Sequence, residues 1–167
     1  MRIAVSSIVF LCLFLLQGCG EEKLKPSQVN TLKSQKGEMA QETQKKEETL
    51  KTFDKLNWET DMDHAFERAK KEHKNVMILV EEIRCKWCMK MKKGALSDKN
   101  VQDKLQSYVL LKVKRSEKDT IKRIEDFNGA IPSFHFMQPD KEVLDTVVGY
   151  FATEDFLGYL NELEEDN

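Results

Sequence analysis

Asn75-Val76-Met77-Ile78-Leu79-Val80-Glu81-Glu82-Ile83-Arg84-Cys85-Lys86-Trp87-Cys88-Met89-Lys90-Met91 is the stretch on which the reading of this chain turns. Val76 to Val80 is an unbroken apolar run, the pattern of a strand buried on both faces. Met89 to Leu96 has the character of a helix, with a break near Gly94. A Cys-x-x-Cys pair therefore falls where a buried strand passes into a helix. The first turn of a helix carries unsatisfied N–H groups and the positive end of the macrodipole, and both favour an anion. A thiolate at Cys85 would be that anion, with its pKa below the free value of ~8.5. Arg84 and Lys86 act in the same direction. Cys88 lies one helical turn on, so the two sulfurs can close into a disulfide. Trp87 either shields the pair or offers a flat contact surface.

Other chemistries of two cysteines compete with this one. A structural zinc site needs about four ligands, and no second Cys/His pair has suitable spacing. A c-type haem needs His directly after the second cysteine, where this chain has Met89. Copper(I) would find soft ligands in Cys85, Cys88, Met89 and Met91, although Met89 and Met91 point to different sides of a helix and Met91 reads more simply as core. A purely structural disulfide is the remaining alternative.

Outward from the pair, the elements alternate. Asp61 reads as the N-cap of a helix through Lys74, with Met62, Ala65, Phe66 and Ala69 on one face. Ser97 or Asp98 caps a short helix containing Val101 and Leu105. Tyr108 to Val113 reads as a second buried strand. Glu117 to Phe127 reads as a helix with Ile121, Ile124 and Phe127 inward, ended by Asn128-Gly129. A strand from Pro132 through Met137, a turn at Gln138-Pro139-Asp140-Lys141 and a strand from Val143 to Val148 make a hairpin. Thr153 caps a last helix with Phe156, Leu157, Leu160 and Leu163. The expected fold class is α/β: a mixed central sheet with helices on both faces.

The N-terminal third has a different nature. Arg2 followed by the apolar run Ile3 to Leu16 suits a signal peptide and is short for a membrane span, which needs about 20 apolar residues. Residues 1–18 are read as the signal peptide. Residues 19–52 are read as a charged tether, rich in Lys, Glu, Gln, Ser and Thr and free of aromatic residues up to Thr52. Such a segment buries too little apolar surface to offset its ordering entropy. A solvated helix over Gly37 to Lys51 is the alternative for part of it. As a coil, its ~33 residues reach roughly 30 Å. The folded domain is expected over residues 53–167. With four cysteines in 167 residues there is no disulfide-stapled scaffold, and a net charge of -2 gives no footprint for nucleic acid.

Two resemblances add to this reading. Leu16-Gln17-Gly18-Cys19 resembles the lipobox of bacterial lipoproteins, although Gln17 stands where a small residue is usual. The resemblance implies that Cys19 becomes the lipidated first residue, attached to a bilayer on the periplasmic face of a Gram-negative cell; an ordinary cleaved leader is the alternative. The Cys-x-x-Cys at a strand-to-helix junction, followed by Ala130-Ile131-Pro132-Ser133-Phe134, resembles the thioredoxin superfamily. Trp58, Ala65, Ala69-Lys70-Lys71, Leu96-Ser97-Asp98, Val101 and Gly149-Tyr150 are similar to its subgroup with a Trp and a helix before the first core strand, and to the C-terminal domain of the electron-transfer protein DsbD.

The resemblance implies a thioredoxin-like fold and a thiol–disulfide oxidoreductase, with Cys85 attacking and Cys88 resolving. It implies that Pro132 is the family's cis proline beside the pair, against the alternative of a trans proline opening a strand. It also implies that Ile131 pairs with the substrate chain, and that Lys86 and Trp87 tune the pair. A buried acid below the cysteines moves protons in that family. Glu81 is the candidate, against the alternative that Glu81 and Glu82 are both exposed at the strand end. His135 lies either near the site or on the sheet surface. No organic cofactor or metal is implied. The implied partners are exported proteins with disulfides or thiols and a membrane electron donor, acting on a monomer. Reduction is favoured over oxidation by the likeness to reducing members. A thioredoxin-like copper(I) chaperone and a redox-silent holding chaperone are the alternatives of another class.

Overall fold

A computed structural model describes residues 51–165. The leader, Cys19 and the tether as far as residue 50 lie outside them. Residues 51–54 are helical, so regular structure is present where the tether is read as ending. Five strands follow: β1 (Trp58–Glu59), β2 (Asn75–Glu81), β3 (Tyr108–Lys114), β4 (Ser133–Met137) and β5 (Val143–Val148). The helices are α1 (Met62–Glu72), α2 (Lys86–Lys93), α3 (Lys99–Leu105), α4 (Lys118–Ile121) and α5 (Thr153–Glu165), with a 3-10 turn at Ala95–Ser97.

The sheet order is β1-β3-β2-β4-β5. β1, β3 and β2 run parallel, and β4 and β5 are antiparallel to their neighbours. Central β2 is buried along almost its whole length, as its unbroken apolar run demands. Val76, Ile78 and Val80 meet Met62, Ala65, Phe66 and Ala69 of α1 on one face. Met77 and Leu79 meet Met91, Leu96, Val101, Leu105, Phe156 and Leu160 on the other, contributed by α2, the 3-10 turn, α3 and α5. The two-residue period of the strand thus feeds two cores, one on each side of the sheet.

Local chemistry sets the ends of the helices. Asp61 caps α1 by accepting the His64 N–H at 2.8 Å, and Asp98 caps α3 by accepting from Asn100 and Val101. α1 stops at Glu72, short of Lys74, because His73 takes a left-handed conformation (φ 52) and returns its N–H to Ala69. Thr153 is the first residue of α5. The strand β1 has no apolar run to announce it. Trp58 there pairs with Leu110 of β3, and its Nε1–H donates to the Phe53 carbonyl at 3.2 Å.

The expected helix over Glu117 to Phe127 is corrected to the single turn α4. Beyond Ile121 the N–H groups of Arg123 and Ile124 bond three residues back, to Thr120 and Ile121. Asp126 then takes φ 60, which turns the chain out of any helix. The inward spacing of Ile121, Ile124 and Phe127 is kept, with Ile124 buried and the other two packed against the same core.

His135 lies on the side of the sheet away from α2, between Phe134 and Phe136, which face α2. It is 1% exposed. Its Nε2 is 3.1 Å from Ser133 Oγ, its Nδ1 is 3.2 Å from Thr146 Oγ1, and Phe127 covers it edge-on. Burial pulls its pKa from 6.5 down to about 4, against a smaller opposing pull from Asp126. Between those values the unfolded chain binds a proton that the folded chain refuses, so stability falls as pH drops through this window. The urea midpoint is expected to fall between pH 6.5 and 4 by the equivalent of roughly 3 kcal/mol, and His135→Gln should flatten that part of the curve. A second expectation concerns the α2 side of the core, where Phe156 is 0% exposed and its ring centroid lies 4.9 Å from that of Phe134. Phe156→Ala should cost about 3–5 kcal/mol in urea unfolding.

Candidate active site

The polypeptide leaves β2 at Glu81 and reaches α2 through Glu82, Ile83, Arg84 and Cys85. This loop closes as a turn, with the Cys85 N–H on the Glu82 carbonyl at 3.2 Å. Arg84 takes a left-handed conformation, φ 68, which non-glycine residues seldom adopt. Cys85 is the N-cap of α2: its Sγ accepts the Cys88 N–H at 3.1 Å, and its carbonyl accepts the Met89 N–H. Cys85 and Cys88 are joined as a disulfide. Cys85 is half-buried and Cys88 is 2% exposed, so a reagent from solvent reaches Cys85 first.

The peptide bond Ile131–Pro132 is cis. The antiparallel register pairs Val80 with Ser133, which sets Pro132 one step further, at the end of β2 that runs into the cysteine loop. A separation of more than forty residues in sequence is closed by that pairing. Pro132 is buried and Ile131 half-buried. The Pro132 carbonyl accepts the Gly149 N–H at 2.8 Å, tying the segment to the end of β5.

Glu81 is turned inward. It alternates with Met77 and Leu79, which places its side chain on the α2 side of the sheet. There it is buried and forms an ion pair with Lys92. Lys92 follows Cys88 by four residues, one turn along α2 on the same side. The Lys92 Nζ also lies 5.2 Å from the centroid of Phe53. The reading in which both glutamates are exposed is therefore corrected for Glu81. Glu82 is half-buried and accepts from Ile83 and Ser116 N–H at 2.8 and 2.9 Å. Its carboxyl is held below the usual range, first by the Ile83 hydrogen bond and then by those from Ser116.

Trp87 is 48% exposed and lies against Tyr150, with centroids 5.7 Å apart. Lys86 is exposed, with Nζ 5.7 Å from the Trp87 ring. Met91 is core, 0% exposed, and its Sδ accepts the Phe151 N–H at 3.2 Å. The structure therefore gathers Cys85, Cys88, Lys86, Trp87, Glu81, Ile131 and Pro132 at one end of the sheet and places His135 on the other face. Cys19 lies outside the described residues. Sequence reasoning missed Lys92 and the contact of Tyr150 with Trp87. The spacing from Cys88 could have suggested Lys92; the Tyr150 contact depends on the β4–β5 hairpin and has no local signal.

A nearly buried ion pair is costly to half-remove, because the remaining charge loses its partner. Lys92→Met should lower stability by about 3 kcal/mol, and the double variant Glu81→Leu/Lys92→Met should recover much of that loss. Chemical denaturation of the two variants and the parent provides the comparison.

A mixed five-stranded sheet with helices on both faces, a Cys-x-x-Cys disulfide at a helix N-terminus and a cis proline beside the loop together define a protein of thioredoxin-like fold. The family described as Thioredox_DsbH, protein of unknown function DUF255, matches residues 44–163, and the chain belongs to it. Among solved structures, a thioredoxin from Thermus thermophilus is similar with a TM-score of 0.57 and 23% identity, over 65% of this chain and 86% of that one. A DsbH oxidoreductase is similar with a TM-score of 0.57 and 14% identity, over 67% of this chain and 86% of that one. The oxidised C-terminal domain of DsbD from Neisseria meningitidis gives 0.52 and 17%, over 62% and 96%. At these identities the likeness establishes the fold. No curated protein matches the chain.

Proposed function

We propose that this chain is an extracytoplasmic thiol–disulfide oxidoreductase that reduces disulfides in exported proteins. The observation that carries this reading is the unequal pair itself: Cys85 reachable at the N-cap of α2, bonded to a buried Cys88. In the reduced form the helix N-terminus and the Cys88 N–H favour the Cys85 thiolate, which raises its population at neutral pH. That thiolate attacks one sulfur of a substrate disulfide. A Cys85–substrate bond forms, the substrate S–S bond breaks, and the departing thiolate takes a proton. Cys88, deprotonated in turn, attacks the Cys85 sulfur and expels the second substrate thiol. Two electrons have passed to the substrate, and the Cys85–Cys88 bond has re-formed. A dithiol electron donor at the membrane returns the pair to its reduced state by the same exchange in reverse.

Supporting roles follow from placement. Glu81, buried below α2 and paired with Lys92, is the group proposed to receive and return the Cys88 proton. Ile131, before the cis Pro132, is proposed to align the substrate backbone, while Lys86 and Trp87 flank the reactive sulfur. The reducing direction rests on the likeness to reducing members of the superfamily. Localisation rests on residues 1–19: the apolar leader and the lipobox-like Leu16-Gln17-Gly18-Cys19 support export and attachment through a lipidated Cys19. No helix among the described residues is long and apolar enough to cross a membrane.

The test is to trap the intermediate. Full-length Cys88→Ala should accumulate mixed disulfides, seen as slower bands on non-reducing gels and lost on reduction, and Cys85→Ala should form none. The parent protein should reduce insulin disulfides, with activity falling to background in both variants. Absence of adducts together with absence of reductase activity in the parent would overturn the enzyme reading.

A further inference from the structure

Four large apolar side chains are exposed among the described residues: Ile83, Trp87, Val148 and Tyr150. Two of them, Ile83 and Trp87, lie in the cysteine loop and α2, and the other two flank Gly149 at the end of β5. Ile83 lies in the loop two positions before Cys85, and Trp87 stands between the cysteines. Val148 pairs with Ser133, beside the cis Pro132, and Tyr150 lies against Trp87. Trp87 and Tyr150 make a continuous exposed apolar surface beside a bond that must be touched by a partner, and such surface is contact surface.

The same rim is positively charged. The Lys90 Nζ lies 4.7 Å from the Trp87 centroid and 5.3 Å from that of Tyr150, so one cation is held against both rings. The Lys86 Nζ lies 5.7 Å from the Trp87 centroid, and Arg84 is exposed in the loop. None of these three cations forms an ion pair among the described residues. The two carboxylates nearest in the chain are directed elsewhere: Glu81 to Lys92, and Glu82 to the N–H groups of Ile83 and Ser116. The next acidic residues after Tyr150, Glu154 and Asp155, lie in the first turn of α5 and form no ion pair with the three cations. α2 itself carries four lysines and no acidic residue. The whole chain has a net charge of -2, so this local sign does not come from a basic composition.

We infer that the surface around the disulfide selects a protein partner whose reactive cysteine sits in an exposed segment with carboxylates next to an apolar side chain. This rests on the oxidoreductase reading and names the substrate class for that site. The apolar side chain would lie on Trp87 and Tyr150, and the carboxylates would pair with Lys90, Lys86 and Arg84. A cation held over aromatic rings loses freedom, so it is already positioned for a carboxylate. Complementary charge acts mainly on the rate of encounter and weakens with salt.

The experiment uses reduced full-length protein and two synthetic peptides of equal length, each supplied as its symmetric disulfide. In both, a Phe precedes the cysteine; aspartates flank the pair in one and lysines in the other. Hydroxyethyl disulfide serves as a small neutral substrate. Initial rates of thiol release are read at low and high salt, and the acidic-to-basic ratio is taken within each protein, which cancels changes in intrinsic thiol reactivity. The acidic peptide disulfide is expected to react about tenfold faster at low salt, with the ratio shrinking as salt rises. In Lys86→Glu/Lys90→Glu the ratio should fall to one or invert. Equal rates, a preference for the basic peptide, or a ratio unmoved by the double variant would overturn the inference while hydroxyethyl disulfide still reacts. No exchange with any of the three disulfides would overturn the oxidoreductase reading, and the inference with it.

Discussion

β2 is hydrogen-bonded on both edges, to β3 from Asn75 to Glu81 and to β4 from Val76 to Val80, and its two faces are sealed by α1 on one side and by α2, α3 and α5 on the other. A strand confined in this way can release its chain only at its end, and every feature of the site follows from that exit. The loop after Glu81 must climb from the centre of the sheet to the start of a helix that covers one face. Its last residue, Cys85, is therefore the N-cap, where helical N–H groups are still unpartnered. The antiparallel partner β4 begins beside the same exit, and its lead-in brings the cis Pro132 to the loop. The hairpin return through β5 then delivers Tyr150 to Trp87. Moving β2 to an edge would disperse all three.

The charges around this exit are divided by depth. The inner carboxylate, Glu81, is matched by Lys92 within the protein. The outer cations at Arg84, Lys86 and Lys90 are left with aromatic faces and solvent. The buried pair is closed within the protein, whereas the outer cations face solvent. This separation is made by strand parity and helix spacing: residue 81 falls in phase with Met77 and Leu79, and residue 92 falls in phase with Cys88.

Much of this arrangement was legible in the sequence, and for identifiable reasons. The apolar run Val76 to Val80 has no stable home except a doubly covered strand, and Asp61 and Asp98 announce their helices by side-chain chemistry. The fold class and the strand-to-helix setting of the cysteines follow from those signals. Strand parity also held the answer for Glu81, since the inward set Met77, Leu79 extends to it without interruption. Elements fixed by distant partners left weaker traces. β1 is two residues long and exists because β3 has an open edge. The segment after Glu117 has helical spacing yet folds as successive turns, because Asp126 reverses it and Phe127 must cover His135. The contact of Tyr150 with Trp87 depends on the pairing of β4 with β5 and leaves no local trace.

Tyr150 sits between two anchors. The N–H of Gly149 is held by the Pro132 carbonyl, and the N–H of Phe151 by the sulfur of Met91 in α2. The residue thus spans, like a cross-brace, the gap between the proline segment and the cysteine-bearing helix. Both anchors are made when the domain folds, so whatever docks on Tyr150 meets a side chain whose backbone is already ordered.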